Sequence, residues 1–139
     1  MSDVVVRRAR FEEVRLLAAE YLVEQEAAFG RPTSPPLPQG GVFWVAEDTA
    51  SGEIIGYAAG TLRPEGCTIG PIFTRSNGRR RGTGAALLTA IETWVADTRV
   101  PLMEVAVNAL NESGVAFLRS AGYRPGTMMM VRDGGVPGA

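Results

Sequence analysis

Residues recur at helical spacing in two segments of the chain, which predicts two amphipathic helices, and cap and stop residues predict a third helix. The first runs from Phe11 to about Ala28, the second from Gly84 to about Thr98, and the third from Glu112 to Ala121. Asn111 can cap the third helix through its side chain, and Gly122 follows as a C-terminal stop. Between the helices the periodicity of the sequence changes.

Short runs rich in β-branched and aromatic residues fill these intervals and predict strands. The runs are VVVRR (4–8), VFWVAED (42–48), EIIGYAAGTLRP (53–64), CTIGPIFT (67–74), PLMEVAV (101–107) and TMMMVR (127–132). Gly70 and Pro71 predict a bulge or a break in pairing, because proline has no N–H to donate to a sheet. The methionines of the last run are expected to fill the core. Because helices and strands interleave around a hairpin, the sequence predicts an α/β domain with a mixed sheet.

The composition narrows the classes of protein that fit. A chain of 139 residues with 45% hydrophobic residues and a net charge of −1 predicts one domain over residues 1–139. We expect a cytoplasmic protein with no membrane partner, since no apolar run approaches the ~20 residues that a membrane span needs. The chain has no histidine and no lysine. This excludes Ser-His-Asp and Cys-His systems, Schiff-base chemistry and histidine metal sites, and we expect no metal.

One basic turn stands out in this nearly neutral chain. The segment RSNGRRRGTGAALL (75–88) places four arginines and three glycines before the second helix. The first N–H groups of a helix lack intrahelical partners and attract anions, and Gly82 and Gly84 let the backbone come close. One compact anion, such as a pyrophosphate, fits the cluster better than a nucleic acid, which needs a broad basic face. Taken alone, the pattern is equally compatible with a solvated arginine turn.

Two blocks of the sequence resemble a known family. The segment IFTRSNGRRRGTGAALLTAIETWV resembles the signature of the GNAT superfamily of N-acetyltransferases, a strand followed by Arg/Gln-x-x-Gly-x-Gly/Ala and a helix. Arg79, Gly82 and Gly84 fall on the motif positions. The segment VNALNESGVAFLRSAGY resembles a second family block, in which an asparagine precedes a helix that ends in Gly-Phe or Gly-Tyr. The segments VRRARFEEV and EIIGYAAG resemble the first and third strands of the family, so the resemblance spans nearly the whole chain.

The resemblance implies a GNAT-like mixed central sheet flanked by helices, with acetyl-CoA as cofactor and CoA as product. It implies that an amine of a small molecule or protein attacks the thioester directly in a ternary complex. The net charge of −1 disfavours a nucleic-acid partner, and the resemblance leaves a homodimer open. The pyrophosphate would lie on the turn, the backbone of the preceding strand would bind the pantetheine arm, and an asparagine would reach the cofactor from the other side. The residues implied are Ile72, Phe73, Thr74, Arg79, Arg80, Arg81, Gly82, Thr83, Gly84 and Asn111.

The pattern departs from the family at the proton donor. Leu118 stands where many relatives carry a tyrosine that protonates the leaving thiolate. Either water or another residue such as Tyr123 takes that role, or the chain is a CoA-binding sensor or scaffold that does no chemistry. Glu104 is the first candidate for a general base, because it lies on the opposite strand face from Met103. Glu65 is the second, and an ordinary surface carboxylate is an alternative reading for both.

Overall fold

The computed structural model describes residues 3–30, 41–128, 130 and 132. The predicted loop between Gly30 and Gly41 therefore lies largely outside the described residues. In chain order the elements are β1 (Val4–Ala9), α1 (Phe11–Phe29), β2 (Val42–Asp48), β3 (Ile54–Arg63), β4 (Gly66–Thr74), α2 (Thr83–Ala96), β5 (Met103–Val105) and α3 (Glu112–Ser120). A single 3-10 turn, Ser76–Gly78, lies between β4 and α2.

The five strands form one sheet in the order β1-β2-β3-β4-β5. The pairs from β1 to β4 are antiparallel, whereas β5 joins β4 in parallel. A parallel neighbour needs a crossover connection, which α2 supplies here. The predicted mixed sheet flanked by helices is confirmed.

The pairing of β4 is interrupted at the predicted position. Ala58 pairs with Ile72 and Gly60 pairs with Ile69, so two residues of β4 oppose the single residue between them on β3. Such an extra residue bends a strand and locally disrupts its ladder. The bulge comprises Gly70 and Pro71, as expected from the missing N–H of the proline.

Alternate side chains of the strands pack into two separate cores, one on each face of the sheet. On one face, Val14 and Leu17 of α1 pack against a cluster that includes Phe43, Tyr57 and Phe73. On the other face, α2 contributes most of the buried helical side chains, and α3 contributes Leu118. This opposition follows from the period of two in a strand, which sends successive side chains to opposite faces.

The predicted final strand is wrong for the residues that the structure describes. Thr127, Met128, Met130 and Arg132 lie in no strand, and Met129 and Val131 fall outside the described residues. Met128 is 73% exposed and Met130 is 83% exposed, so these two methionines do not fill the core. Strand propensity expresses how well a side chain fits a half-buried pleated surface, and these described residues meet no such surface.

The strand predicted over residues 101–107 is also shorter than expected, since β5 comprises only Met103–Val105. None of the described helices is long and apolar enough to cross a membrane.

Because α2 packs on the core, we expect the effect of a leucine-to-alanine substitution on stability to depend strongly on its position. Leu87 of α2 is fully buried, whereas Leu16 of α1 is 70% exposed. We expect Leu87→Ala to lower the free energy of unfolding by about 2–5 kcal/mol, because it removes buried methyl groups and leaves a cavity. Leu16→Ala, the matched control, should change it by less than about 0.5 kcal/mol. Urea denaturation followed by circular dichroism measures both, and equal losses would contradict the assignment of the core.

Candidate active site

The turn between β4 and α2 is held close against β3. Gly78 is buried there, and a Cβ at this position would lie 3.0 Å from both the Cβ and the carbonyl oxygen of Ile55. The buried hydroxyl of Thr83 donates a hydrogen bond to the carbonyl oxygen of Gly78 at 2.7 Å. This bond joins the 3-10 turn to the first residue of α2. The turn therefore has a fixed position relative to the start of the helix.

The start of α2 carries no side-chain cap. Its N-cap residue is Gly82, in a left-handed conformation with φ 73°, and it makes no side-chain cap hydrogen bond. The first intrahelical bond runs from the N–H of Ala86 to the carbonyl oxygen of Gly82 at 2.9 Å. The N–H groups of the first turn point out of the helix end, where the helix dipole favours negative charge. The geometry suits an anion.

A gap opens in the sheet beside this helix start. Parallel pairing of β4 with β5 ends at Ile69 and Val105. The N–H of Arg75 donates to Ile55 of β3 at 2.8 Å. Because peptide groups alternate along an antiparallel strand, those of Ile72 and Thr74 point away from β3, toward the gap.

A cavity of about 600 Å³ connects the gap to the helix start. Its walls come from the end of β4, the turn, the first residues of α2, the segment after β5, and α3. Eight of the residues implied for cofactor binding line it, namely Ile72, Thr74, Arg79, Arg80, Gly82, Thr83, Gly84 and Asn111. The fold thus brings together residues from β4, α2 and α3 that are up to 39 positions apart in sequence.

Phe73 and Arg81 are the two implied residues that do not line the cavity. The Phe73 side chain is buried in the core under α1, where its ring meets that of Tyr21 at a centroid distance of 5.7 Å. The Arg81 guanidinium points to β2 and binds the Asp48 carboxylate at 3.1 Å. The N–H groups of Ala50 and Ser51, together with Arg81, hold the pKa of Asp48 below its usual range.

The start of α3 forms the opposite wall. The Asn111 Oδ1 atom accepts a hydrogen bond from the N–H of Gly114 at 3.0 Å and one from the Ser113 hydroxyl at 3.1 Å. The predicted cap is therefore confirmed. Phe117 approaches the start of α2, with a ring carbon 3.7 Å from the position that a Cβ on Gly84 would take. Leu118 also lines the cavity, without a proton to donate.

The two candidate bases, Glu104 and Glu65, lie outside the cavity lining. Arg63, at the end of β3, forms an ion pair with Glu104 at 3.5 Å and another with Glu65 at 3.7 Å. Neither carboxylate lines the cavity, because Glu104 is on the part of β5 that still pairs with β4. None of the described residues that line the cavity is an aspartate or a glutamate.

Two other groups, Tyr123 and Cys67, also lie outside the cavity lining. The Tyr123 hydroxyl donates to Glu92 of α2 at 3.0 Å, outside the cavity lining. Burial and this hydrogen bond raise the pKa of Tyr123 above its usual range. Cys67 is fully buried in β4, and burial raises the pKa of its thiol. The part of the chain that the structure describes holds no group of three or more His, Cys, Asp or Glu residues placed for a metal ion.

Sequence reasoning missed two residues of α1 that reach the cavity, Tyr21 and Gln25. Both continue the helical spacing of the buried residues Val14 and Leu17. This spacing indicates a side of the helix that packs against the sheet, and it does not indicate a cavity. The signal available in the sequence was that two polar side chains follow each other at a spacing of four residues in the C-terminal half of the helix. Only the position of α1 over the end of β4 shows that this side of the helix extends beyond the core.

The fold and the site define an α/β protein with an anion-accepting helix start beside a split sheet. The chain belongs to the GNAT acetyltransferase family, since the family model described as "Acetyltransferase (GNAT) family" matches residues 10–123. No curated protein matches the chain significantly.

Solved structures show the same fold at low sequence identity. An aminoglycoside acetyltransferase from an uncultured soil metagenomic sample, in complex with trehalose, is 14% identical, with a TM-score of 0.68 and 97% of each chain covered. An integron cassette protein from the mobile metagenome of V. cholerae is 15% identical, with a TM-score of 0.72 over 97% of this chain and 95% of that one. A transcriptional regulator from Bacillus halodurans C-125 is 16% identical, with a TM-score of 0.72 over 94% and 99%.

The bond from Thr83 to Gly78 gives a test of how the turn is held. Thr83→Val keeps the shape of the side chain but leaves the buried Gly78 carbonyl without this donor. We expect the free energy of unfolding to fall by about 1–3 kcal/mol. Thr93→Val is the matched control, because the Thr93 hydroxyl bonds the Thr89 carbonyl on the exposed side of the same helix. Chemical denaturation compares the two variants, and an equal effect would show that the buried bond is not special.

Proposed function

We propose that this protein is an acetyl-CoA-dependent N-acetyltransferase that moves the acetyl group to a primary amine of a small molecule or protein. The observation that carries the proposal is the cavity that joins an uncapped helix start to the unpaired edge of β4. A pyrophosphate and an extended amide-containing arm need these two features side by side. Membership of the GNAT acetyltransferase family supports the same assignment.

The residues present fit this cofactor. The N–H groups at the start of α2 would hold the pyrophosphate, with Gly82 and Gly84 leaving space for it. The outward peptide group of Ile72 would bind the pantetheine arm by the hydrogen bonds that a neighbouring strand would otherwise make. Asn111 would close the site from α3. When bound, acetyl-CoA supplies the thioester that the amine attacks, with the C–S bond breaking as the C–N bond forms.

The composition of the described lining determines which groups can accept and donate protons in the proposed reaction. Since no carboxylate of the described lining faces the acceptor, water takes the proton that the amine loses, and the amine must enter the reaction uncharged. Among the described lining side chains, Tyr21 carries the phenol, whose hydroxyl can donate a proton. We assign to Tyr21 the protonation of the leaving thiolate. Leu118, which occupies the family position for this role, cannot donate a proton.

The charge distribution argues against a nucleic-acid partner. Ion pairs with carboxylates already neutralise Arg75, Arg79 and Arg81 of the basic turn. Nucleic-acid affinity depends on free cations that neutralise many phosphates. We therefore propose that the enzyme acts without a nucleic-acid partner.

A second candidate is a CoA-binding sensor or scaffold without catalysis, and Leu118 is the observation that favours it. Release of CoA thiol in the presence of a panel of amines, including aminoglycosides, polyamines and peptide N-termini, separates the two. Acetyl-CoA binding without thiol release for any amine would favour the second candidate.

Calorimetric titration of acetyl-CoA and CoA tests the proposed position of the cofactor. Gly84→Glu puts a carboxylate into the cavity beside the expected pyrophosphate. We expect at least a ~100-fold loss of affinity, because juxtaposed like charges cost several kcal/mol. Gly126→Glu is the control, since Gly126 has open space around it and lies outside the cavity. Unchanged binding in Gly84→Glu would exclude this position, and no binding to the wild type would overturn the proposed cofactor.

Tyr21→Phe tests the proton donor. The substitution keeps the ring that packs on Phe73 but removes the hydroxyl, so we expect kcat to fall by about 100-fold or more. The Kd of acetyl-CoA should stay unchanged. Tyr123→Phe is the control, because its hydroxyl binds Glu92 instead. If Tyr21→Phe keeps the wild-type kcat for the best amine of the panel, water protonates the sulfur.

A further inference from the structure

The helix α1 is apolar on two opposite sides, and the sheet covers only one of them. Val14 and Leu17 are buried on the side that packs on the sheet. On the opposite side, Leu16 and Val23 are each 70% exposed, and Leu22 is 38% exposed. A surface helix normally carries polar residues on its outer side. Adjacent apolar side chains that face water therefore indicate a surface that another molecule covers.

The exposed apolar residues of α1 form one stripe along the helix. An α-helix turns by about 100° per residue. Leu16, Ala19 and Val23 therefore lie above one another at the i, i+3, i+7 spacing through which two helices pack together. We call this surface the α1 stripe, and it comprises the exposed residues Leu16, Ala19, Leu22, Val23 and Ala27. The small side chain of Ala19 lies near its centre and lets a second helix come close.

Two charged residues beside the α1 stripe indicate the kind of partner. Arg15 lies beside one end of the stripe and Glu26 beside the other, and both residues are exposed. Neither side chain forms an ion pair or a hydrogen bond with another described residue. By contrast, Glu20 and Glu24 on the flank of the same helix bind arginines of the basic turn. A partner that covers the stripe should therefore present an acidic group to Arg15 and a basic group to Glu26.

A second copy of α1, running antiparallel, meets both requirements. In a two-fold pair, residue i of one copy contacts residue j of the other, and j contacts i. Leu16 and Val23 are nearly equidistant from residue 20 along α1, and so are Arg15 and Glu26. With the two-fold axis near residue 20, Leu16 of each copy packs on Val23 of the other. Arg15 of each copy then lies beside Glu26 of the other, so both contacts form twice.

The charge of α1 argues against a membrane surface as the partner. The helix contains five glutamates and one arginine, whereas helices that lie on membranes carry lysine and arginine on their polar face. The α1 stripe also lies on the opposite side of the helix from Tyr21 and Gln25, which line the cavity. A second copy of the chain on this surface would therefore leave the cavity open.

We propose that the α1 stripe binds a second copy of this chain in an antiparallel two-fold pair, and that Arg15 and Glu26 fix the alignment of the two helices. One side of a helix about 28 Å long and ~10 Å wide is smaller than the ~800 Å² per partner of a typical stable interface. We therefore expect a reversible dimer that forms as the protein concentration rises. The inference is independent of the proposed function, because it requires no ligand.

Sedimentation equilibrium over a range of protein concentrations tests the association. Leu16→Asp should weaken dimerisation by about tenfold or more, because it puts a charge into an apolar contact that forms twice. Leu110→Asp is the matched control, since Leu110 is 68% exposed and lies outside α1. It should leave dimerisation unchanged. A wild type that stays monomeric up to about 1 mM would overturn the inference. So would equal dimerisation of Leu16→Asp and the wild type.

Charge reversal tests the two-fold alignment. Arg15→Glu and Glu26→Arg, made separately, each place like charges together at both ends of the pair. Each should therefore weaken dimerisation by about tenfold. An equimolar mixture of the two variants should dimerise again, because each end of the mixed pair then joins a glutamate to an arginine. Single variants that dimerise like the wild type, or that stay monomeric when mixed, would contradict this alignment.

The double variant Arg15→Glu/Glu26→Arg separates alignment from net charge and from folding. It has the net charge of the wild type and restores an opposite-charge pair at each end, so it should dimerise like the wild type. Both positions are exposed, and we expect the circular dichroism spectrum of every variant to match that of the wild type. A double variant that keeps this spectrum but dimerises as weakly as the single variants would overturn the pairing of Arg15 with Glu26.

Discussion

Parallel pairing between β4 and β5 stops after Ile69 and Val105, and the position of the cavity depends on this end of the ladder. The bulge on the β3 side of β4 begins at the next residue, so the strand changes course just where it loses its parallel neighbour. Unpaired peptide groups in a sheet are costly unless water or a ligand satisfies them. The gap therefore leaves peptide groups of β4 available to water or a ligand.

Ion pairs hold the basic turn against this gap. Glu20 and Glu24 lie one helical turn apart on α1 and face two arginines that are four positions apart in the turn. Asp3 and Asp48 hold a third arginine from the side of β1 and β2. Surface ion pairs contribute little to stability individually. Their effect here is positional, since they hold the turn against α1, β1 and β2.

The side chains that line the cavity could not be read from the arginine–glycine motif alone. Its described lining combines backbone donors, hydroxyl and amide side chains and two arginines, without a carboxylate. Such a site can bind anionic groups and polarise a carbonyl, but it has no strong base of its own. Tyr21 enters from α1, on the other side of the sheet from the family position that Leu118 fills. Under the proposed function, the proton donor therefore comes from a different helix than the family position.

The sequence by itself determined the helices, four of the strands to within a few residues, the bulge at Gly70–Pro71 and the Asn111 cap, because these depend on local periodicity and backbone chemistry. Local pattern failed at the described residues of the last predicted strand, Thr127, Met128, Met130 and Arg132, where apolar composition does not imply a partner strand. Only the tertiary structure decided which charged residues belong to the site. Glu104 and Glu65 pair with Arg63 outside the cavity lining, and carboxylates distant in sequence hold three of the four arginines. An ion pair depends on distances across the fold, so residue type and spacing along the chain could not reveal it.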